Sequence, residues 1–354
     1  MLYFYPGPAK LYPQIREYLT DAYDCGILSM NHRSIDFVNL SKSVIYLLKD
    51  KLNIPQDYAI FFVSSATESW EIIAQSLTEQ GSLHIFNGAF GQKWAEYAHK
   101  IHQKATHSHF EWDTEIRNDM PTLITKDNFD VVCLTQNETS NGTQVSNENI
   151  KAISEKYKKK LVAIDATSSM AGIELAWENA DIWFASVQKC FGLPAGLGLC
   201  IYAPKAIEKA LQINDKKYYN SFIFLHENIQ KFQTNYTPNV LNIYLLQRVL
   251  EKMENIKIIN ERTKQNAQSW YRFLQNNGFD ILIKNESVRS DTVITVHGTE
   301  GFVKLIKEKA NQANIILGNG YGAWKNTTFR IANFPAITDE EIEIAKQFFI
   351  RTSA

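Results

Sequence analysis

The sequence predicts an α/β protein: a large, mostly parallel sheet flanked by helices, followed by a smaller C-terminal α+β domain. Three observations carry that prediction. Apolar runs of strand length alternate with helical segments from Tyr58 to Pro204. The runs are apolar throughout, as strands buried on both faces require. Beyond Pro204 the order changes to long helical stretches and then to mixed strands and helices, in a chain of 354 residues, more than one small core organises.

The elements follow in order. "FYPGPAKLYP" (Phe4–Pro13) is rich in Pro and Gly and reads as an extended arm. In Ser34–Leu52 the apolar residues Phe37, Leu40, Val44, Leu47 and Leu48 fall at helical spacing behind Ser34 as N-cap. "YAIFFVSS" is a buried strand that breaks into the helix "ATESWEIIAQSL". "SLHIFN" is a strand followed by the turn and helix "GAFGQKWAEYAHKI". "FDVVCLTQ" is a strand, "NETSNG" a turn and "NENIKAISEKYKKK" a helix. "KLVAIDA", "ADIWFASVQK" and "GLGLCIYAP" complete the sheet near Pro204. "TPNVLNIYLLQRVLEKMENI" opens a long helix, with helical character to about Asn277, and no Gly-Ser linker interrupts it. Two or three strands then mix with the helices "EGFVKLIKEKANQ" and "TDEEIEIAKQFFIRT". The expected division is a large domain at 15–250 and a small one at 251–354, the latter with the arm 1–14.

Composition narrows the function. Lysine plus arginine (37) nearly equals aspartate plus glutamate (38), a net charge of −1, so the surface has no general attraction for nucleic acid or anionic lipid. Cys25, Cys133, Cys190 and Cys200 form no CxxC pair, which argues against zinc or disulfides and suits a reducing cytoplasm. No apolar run has bilayer length, and "MLYFYPGPAK" lacks the basic and apolar regions of a signal peptide. No Cys or well-spaced acid accompanies His99, His102, His107 and His109, which are expected on an exposed helix and loop rather than at a metal site. The "KYKKK" run complements a helix dipole.

In open α/β sheets ligands bind beyond the carboxyl ends of the strands. The Ser64–Thr67 turn, Gly88–Phe90, Asn137–Thr139, Asp165 and Lys189 all fall at such ends. "VSSATESWE" is either an ordinary N-cap by Ser65 or Thr67, or a helix start whose free N–H groups hold a phosphate monoester. GxxxxGK[ST] and GxGxxG are both absent. A lysine ending a buried strand is costly unless it is paired, neutral, covalently engaged or reaching out to solvent. Asp165 alone could cap a turn. Together they meet the needs of pyridoxal phosphate, which takes a lysine for its Schiff base and a carboxylate to keep its pyridine nitrogen protonated. An amide could not supply that charge.

The motifs "YPGPAKL", "MNHRSIDF", "FNGAFGQKWAEYA", "TQNETSNGTQV", "AIDATSSM", "SVQKCFGLPAGLG", "TPNVLNIYLLQRVL" and "FRIANFPAITDEEI" occur in this order along nearly the whole chain. In them the sequence resembles the class V, fold-type I pyridoxal-phosphate aminotransferases, and among these the phosphoserine aminotransferases. The resemblance implies that Lys189 carries the Schiff base and shuttles the substrate proton, and that Asp165 pairs with the pyridine nitrogen. It implies that Thr139 meets the phenolic oxygen and that Phe90, where the family has Trp, stacks on the ring. Ala66 and Thr67 would bind the cofactor phosphate through their backbone, joined by Gln188. Thr237, or its neighbours Asn235 and Tyr236, would reach that phosphate from the second subunit of a homodimer. Gly7, His32, Arg33 and Arg330 would bind substrate, with Arg330 clamping the α-carboxylate.

The resemblance therefore implies a transaminase acting on a small amino acid and a 2-oxo acid, with phosphoserine and 2-oxoglutarate in serine biosynthesis as the expected pair. Where phosphoserine enzymes carry a His-Arg pair near the C-terminus, this chain has "LGNGYGAWKNTTFR", with Lys325 as the cation before Arg330. The cofactor turn also lacks the usual arginine. Serine–pyruvate or alanine–glyoxylate exchange is accordingly the alternative. A cysteine-desulfurase type of lyase would need a catalytic Cys after Cys200, and none follows. A non-catalytic scaffold would not need Lys189 and Asp165.

Overall fold

The computed structural model describes residues 1–353 except 103, 121–122 and 124–127. The chain runs through β1 (Leu2–Phe4), α1 (Ile15–Asp24), α2 (Ile35–Leu52), β2 (Ala59–Val63), α3 (Ala66–Ser76), β3 (Ser82–Phe86), α4 (Ala89–Ile101) and β4 (Ala105–His109). It continues with β5 (Val131–Thr135), the small hairpin β6 (Asn137–Glu138) and β7 (Thr143–Gln144), α5 (Asn147–Lys156), β8 (Leu161–Asp165), β9 (Ile182–Ser186) and β10 (Gly198–Tyr202). Then come α6 (Pro204–Ile213), α7 (Phe222–Ile229), α8 (Val240–Lys252), α9 (Ile256–Asn276), β11 (Asp280–Ile281), β12 (Val293–His297), α10 (Glu300–Gln312), β13 (Ile315–Asn319), β14 (Thr328–Ala332) and α11 (Asp339–Ser353).

Seven strands form the main sheet in the order β2-β10-β9-β8-β5-β3-β4. From β9 to β4 every neighbouring pair is parallel. β10 runs antiparallel to both β9 and β2. Every residue of β3, β5, β8, β9 and β10 is buried, which accounts for their continuous apolar runs. The second sheet, β1-β13-β14-β12-β11, includes the first residues of the chain: Leu2–Phe4 pair in parallel with Ile315–Leu317. No helix among the described residues is long and apolar enough to cross a membrane.

Three expectations need correction. The histidine-rich segment is not helix and loop after His102: Ala105–His109 is the edge strand β4, paired among the described residues with β3 alone. The long helix is broken between Lys252 and Ile256, where the Asn255 side chain accepts from Lys257 N and starts a new helix. The tail contributes four strands to its sheet rather than two or three.

Packing behind the main sheet prepares the site. Trp94 of α4 stacks on Trp70 of α3 (centroids 6.4 Å apart, 13° between planes) and stands edge-on to Phe184 of β9 at 5.0 Å. Trp94 and Phe184 are fully buried, and truncating such an aromatic costs about 3–5 kcal/mol. This wedge fixes α3 and α4 against the strands whose ends carry the polar groups.

Candidate active site

A cavity of about 370 Å³ opens at the carboxyl ends of the parallel strands, within the size range of ligand sites. Its lining includes Gly7, Ala66, Thr67, Phe90, Thr139, Asp165, Gln188 and Lys189, eight of the residues singled out in the sequence. Arg330 adjoins it: its Nη1 donates to the Thr139 carbonyl (2.8 Å) and its Nε to the Asn319 carbonyl (2.6 Å). His32, Arg33 and Thr237 do not line the cavity. Arg33 is exposed and donates to Asn228 Oδ1 (3.1 Å) and Gln233 Oε1 (2.9 Å). His32 stands edge-on to Phe37, and Thr237 is exposed on the loop before α8.

Asp165 is the last residue of β8, between Thr135 of β5 and Phe184 of β9. It is buried and makes no ion pair among the described residues. Burial pushes its pKa up, opposed by Thr167, whose N–H donates to Oδ1 at 2.9 Å. The Trp70 indole N–H helps to hold the charge without closing a hydrogen bond of good geometry. A cation introduced into the cavity would restore the ionised form.

Lys189 lies on the turn after β9. Its Nζ donates to the Pro6 carbonyl at 2.6 Å, so the N-terminal arm reaches the site. Burial, with repulsion from Arg330 next, lowers its pKa to about 8. The side chain is only partly covered because it borders the cavity; protein surrounds it elsewhere. Both Asp165 and Lys189 are thus pushed toward neutrality, because desolvation outweighs their mutual attraction.

The Ser64–Thr67 turn behaves as a helix cap. Ser65 Oγ accepts from Glu68 N, and Glu68 Oε2 accepts from both Ser64 N and Ser64 Oγ at 2.7 Å, a variant of the capping box. The Ala66 N–H donates to Ser186 Oγ (2.7 Å). Thr139 Oγ1 donates to Ser168 Oγ (2.8 Å). Phe90 stacks on Tyr321 with ring centroids 4.9 Å apart.

The sequence reading passed over several groups. Glu138 is buried beside the cavity; its Oε2 accepts from Phe90 N and Gly91 N (both 3.1 Å) and its Oε1 from Ser140 N (3.0 Å) and Ser140 Oγ (2.6 Å). It supplies the negative charge at the start of α4. Its signal lies in "NETS", four residues long, of which the threonine alone draws attention in the sequence. Trp70, Lys93, Tyr97, Thr135 and Thr167 also line the cavity.

The buried polar atoms Thr135 Oγ1, Thr167 Oγ1, Gln188 Oε1 and Trp70 Nε1 have no hydrogen-bond partner among the described residues. Such atoms are rare unless a ligand or water meets them. Together with an acid lacking a cation and a lysine of lowered pKa, they fit a polar cofactor that carries a basic ring and an aldehyde. No group of three or more ligating side chains among the described residues could hold a metal ion.

Fold and site thus define a pyridoxal-phosphate enzyme of the α/β type. Comparison with known proteins gives its family: the aminotransferase class-V model matches residues 6–342, and the chain belongs to that family. It is a transaminase dependent on pyridoxal phosphate. It is similar to the crystal structure of a phosphoserine aminotransferase from Cytophaga hutchinsonii, with a TM-score of 0.92, 33% identity, and 99% of this chain and 98% of that one covered. It is 27% identical to the phosphoserine aminotransferase of Corynebacterium glutamicum over 95% of this chain and 90% of the relative. It is 25% identical to the serine–glyoxylate aminotransferase of Methylorubrum extorquens over 93% and 85%.

Proposed function

We propose that this transaminase exchanges the amino group between phosphoserine and 2-oxoglutarate, in serine biosynthesis, as a cytoplasmic homodimer with shared active sites. The observation that carries the reading is the 33% identity to the Cytophaga hutchinsonii phosphoserine aminotransferase across 99% of this chain.

Bound pyridoxal phosphate supplies a carbonyl that condenses with amines and a ring that accepts electrons. Lys189 Nζ, with a pKa near 8, is an amine that can act as nucleophile and can carry a proton on and off the substrate carbon. Asp165, kept ionised, would hold a proton on the ring nitrogen. Thr139 would donate its hydroxyl to the phenolic oxygen. The face of Phe90 would cover the ring. The Ala66 and Thr67 N–H groups at the start of α3 would hold the phosphate, joined by Gln188. Arg330 and Gly7 bind the substrate's α-carboxylate end. Thr237 (or Asn235 and Tyr236) reaches the partner's site across the dimer, and His32 and Arg33 meet an anionic group of the substrate. The chain divides into a large unit at 15–250 and a small unit at 251–354 with the arm 1–14. Support for that division comes from the second sheet, whose strands all fall within the small unit and arm.

A second reading, serine–pyruvate or alanine–glyoxylate exchange, is favoured by one observation: the cations among the lining residues are Lys93 and Lys189 only. A half-reaction screen separates the two. Phosphoserine, serine, alanine and glutamate are each mixed with the enzyme, and loss of the visible cofactor band is followed. Phosphoserine outrunning serine supports the first reading. Serine or alanine outrunning phosphoserine overturns it.

A further inference from the structure

The loop between β13 and β14 folds back over the start of α4. Gly322 sits so close that an added Cβ would lie 3.2 Å from Ala89 Cβ. Tyr321 of this loop stacks on Phe90, so Phe90 and Tyr321 form one aromatic wall at the cavity mouth. Two cations flank that wall. The Lys93 ammonium donates to the Tyr321 hydroxyl and lies 5.0 Å from its ring centroid. The Arg330 guanidinium carbon lies 5.6 Å from the same centroid. The cations are therefore separated by no more than the sum of those distances, and Lys93 lines the cavity that holds Lys189.

Each cation keeps donors to spare. One Lys93 proton goes to Tyr321, leaving two. Arg330 uses Nε and Nη1 on backbone carbonyls and has donors left on the rest of its fork. Two anionic groups can then be held at once. The terminal carbons of an extended five-carbon diacid stand about 5 Å apart, within that upper bound.

We propose that Lys93, held in place by Tyr321, anchors a second anionic group on the substrate, so that the site selects dianionic amino and 2-oxo acids gripped by Arg330 at one end and Lys93 at the other. The proposal rests on the transaminase reading in that Arg330 is assigned the α-carboxylate. The second anion is a carboxylate or a phosphoryl group; both present oxygens that an ammonium recognises.

The test is equilibrium binding to the holoenzyme by calorimetry, with three unreactive acids: glutarate, 3-phosphonopropionate and butyrate. Because Lys93 is exposed, its contact is screened, and Lys93→Met should weaken both dianions about fivefold while moving butyrate less than about twofold. Tyr321→Phe should give a smaller loss in the same direction. A loss confined to glutarate, or to 3-phosphonopropionate, tells which anion is read. Equal weakening of all three acids, an unchanged preference in Lys93→Met, or no preference in the wild type would each overturn the proposal. Arg330→Ala tests the other end separately: if it spares all three acids while Lys93→Met stays selective, the Arg330 assignment fails and Lys93 stands.

Discussion

One methyl group at Gly7 should disable the enzyme out of proportion to its effect on folding. Gly7 has φ +146°, a region closed to side-chain-bearing residues, so Gly7→Ala costs roughly 1–3 kcal/mol in backbone strain. The new Cβ would lie 2.5 Å from both Cε and Nζ of Lys189 and 2.9 Å from its Cδ. Non-bonded carbons settle about 3.5–4.0 Å apart, so about 1 Å of overlap must be relieved. Lys189 moves, because its stem is flexible, while Gly7 is held between two prolines. The amine then leaves its 2.6 Å bond to Pro6 O and its place against the cavity. A misplacement of about 1 Å at a reacting group costs about a hundredfold in rate. The assay pairs turnover with chemical denaturation, and adds the rate at which apoprotein captures pyridoxal phosphate. Gly26→Ala is the control: its φ is +73° and nothing lies within 4 Å of an added Cβ, so it should lose comparable stability and keep its turnover. The reasoning fails if Gly7→Ala works within about threefold of wild type, or if Gly26→Ala loses as much activity.

Three further perturbations bear on the same cavity. Asp165→Asn keeps the shape and removes the charge, so kcat should fall at least about a hundredfold in steady-state assays, and a loss within about threefold would contradict the role given to the carboxylate. For Lys189 the sign is set by its lowered pKa of about 8: the reactive neutral amine is scarce below that pH and dominant above it. Borohydride-trapped capture of the cofactor should therefore climb about tenfold per pH unit up to pH 8 and then level, with Arg330→Met moving the inflection upward; an inflection near the ordinary lysine value would sink the argument. Glu138→Gln leaves one side-chain oxygen for two of the four donors and turns an NH₂ toward the other two, which should cost about 2–4 kcal/mol of folding stability; an unchanged denaturation midpoint would show that the clamp on α4 is dispensable.

What the sequence makes legible depends on how local the cause is. The central parallel strands could be read because burial on both faces leaves an unbroken apolar run, as in "LVAI" before Asp165, and the first polar residue then marks a strand end. The edge strand β4 could not. Its residues Ala105–His109 are mostly exposed or half-exposed and largely polar, and only its pairing with β3 makes it a strand. The break before α9 was local and still escaped, because the capping signal of Asn255 lay inside a run of good helix formers.

The cavity divides in the same way. Asp165, Lys189 and the Ser64–Thr67 turn announce themselves as polar groups ending apolar strands. Glu138 and Lys93 do not, because their meaning lies in distant partners: Glu138 meets Phe90 N 48 positions away, and Lys93 meets Tyr321 at a separation of 228. A pattern read along the chain gives a buried glutamate no special status. Only closure of the turn before α4 onto β6 gives its carboxylate four donors, and with them the task of holding Phe90 at the cavity wall. Recognition is therefore the hardest part of this site to read from sequence. The pair proposed to be catalytic is tied to the sheet topology that every strand end shares, whereas the cations around Tyr321 depend on one loop folding back over one helix, and on the proposal above a change in that loop alone would redirect the substrate while leaving Lys189 and Asp165 where they are.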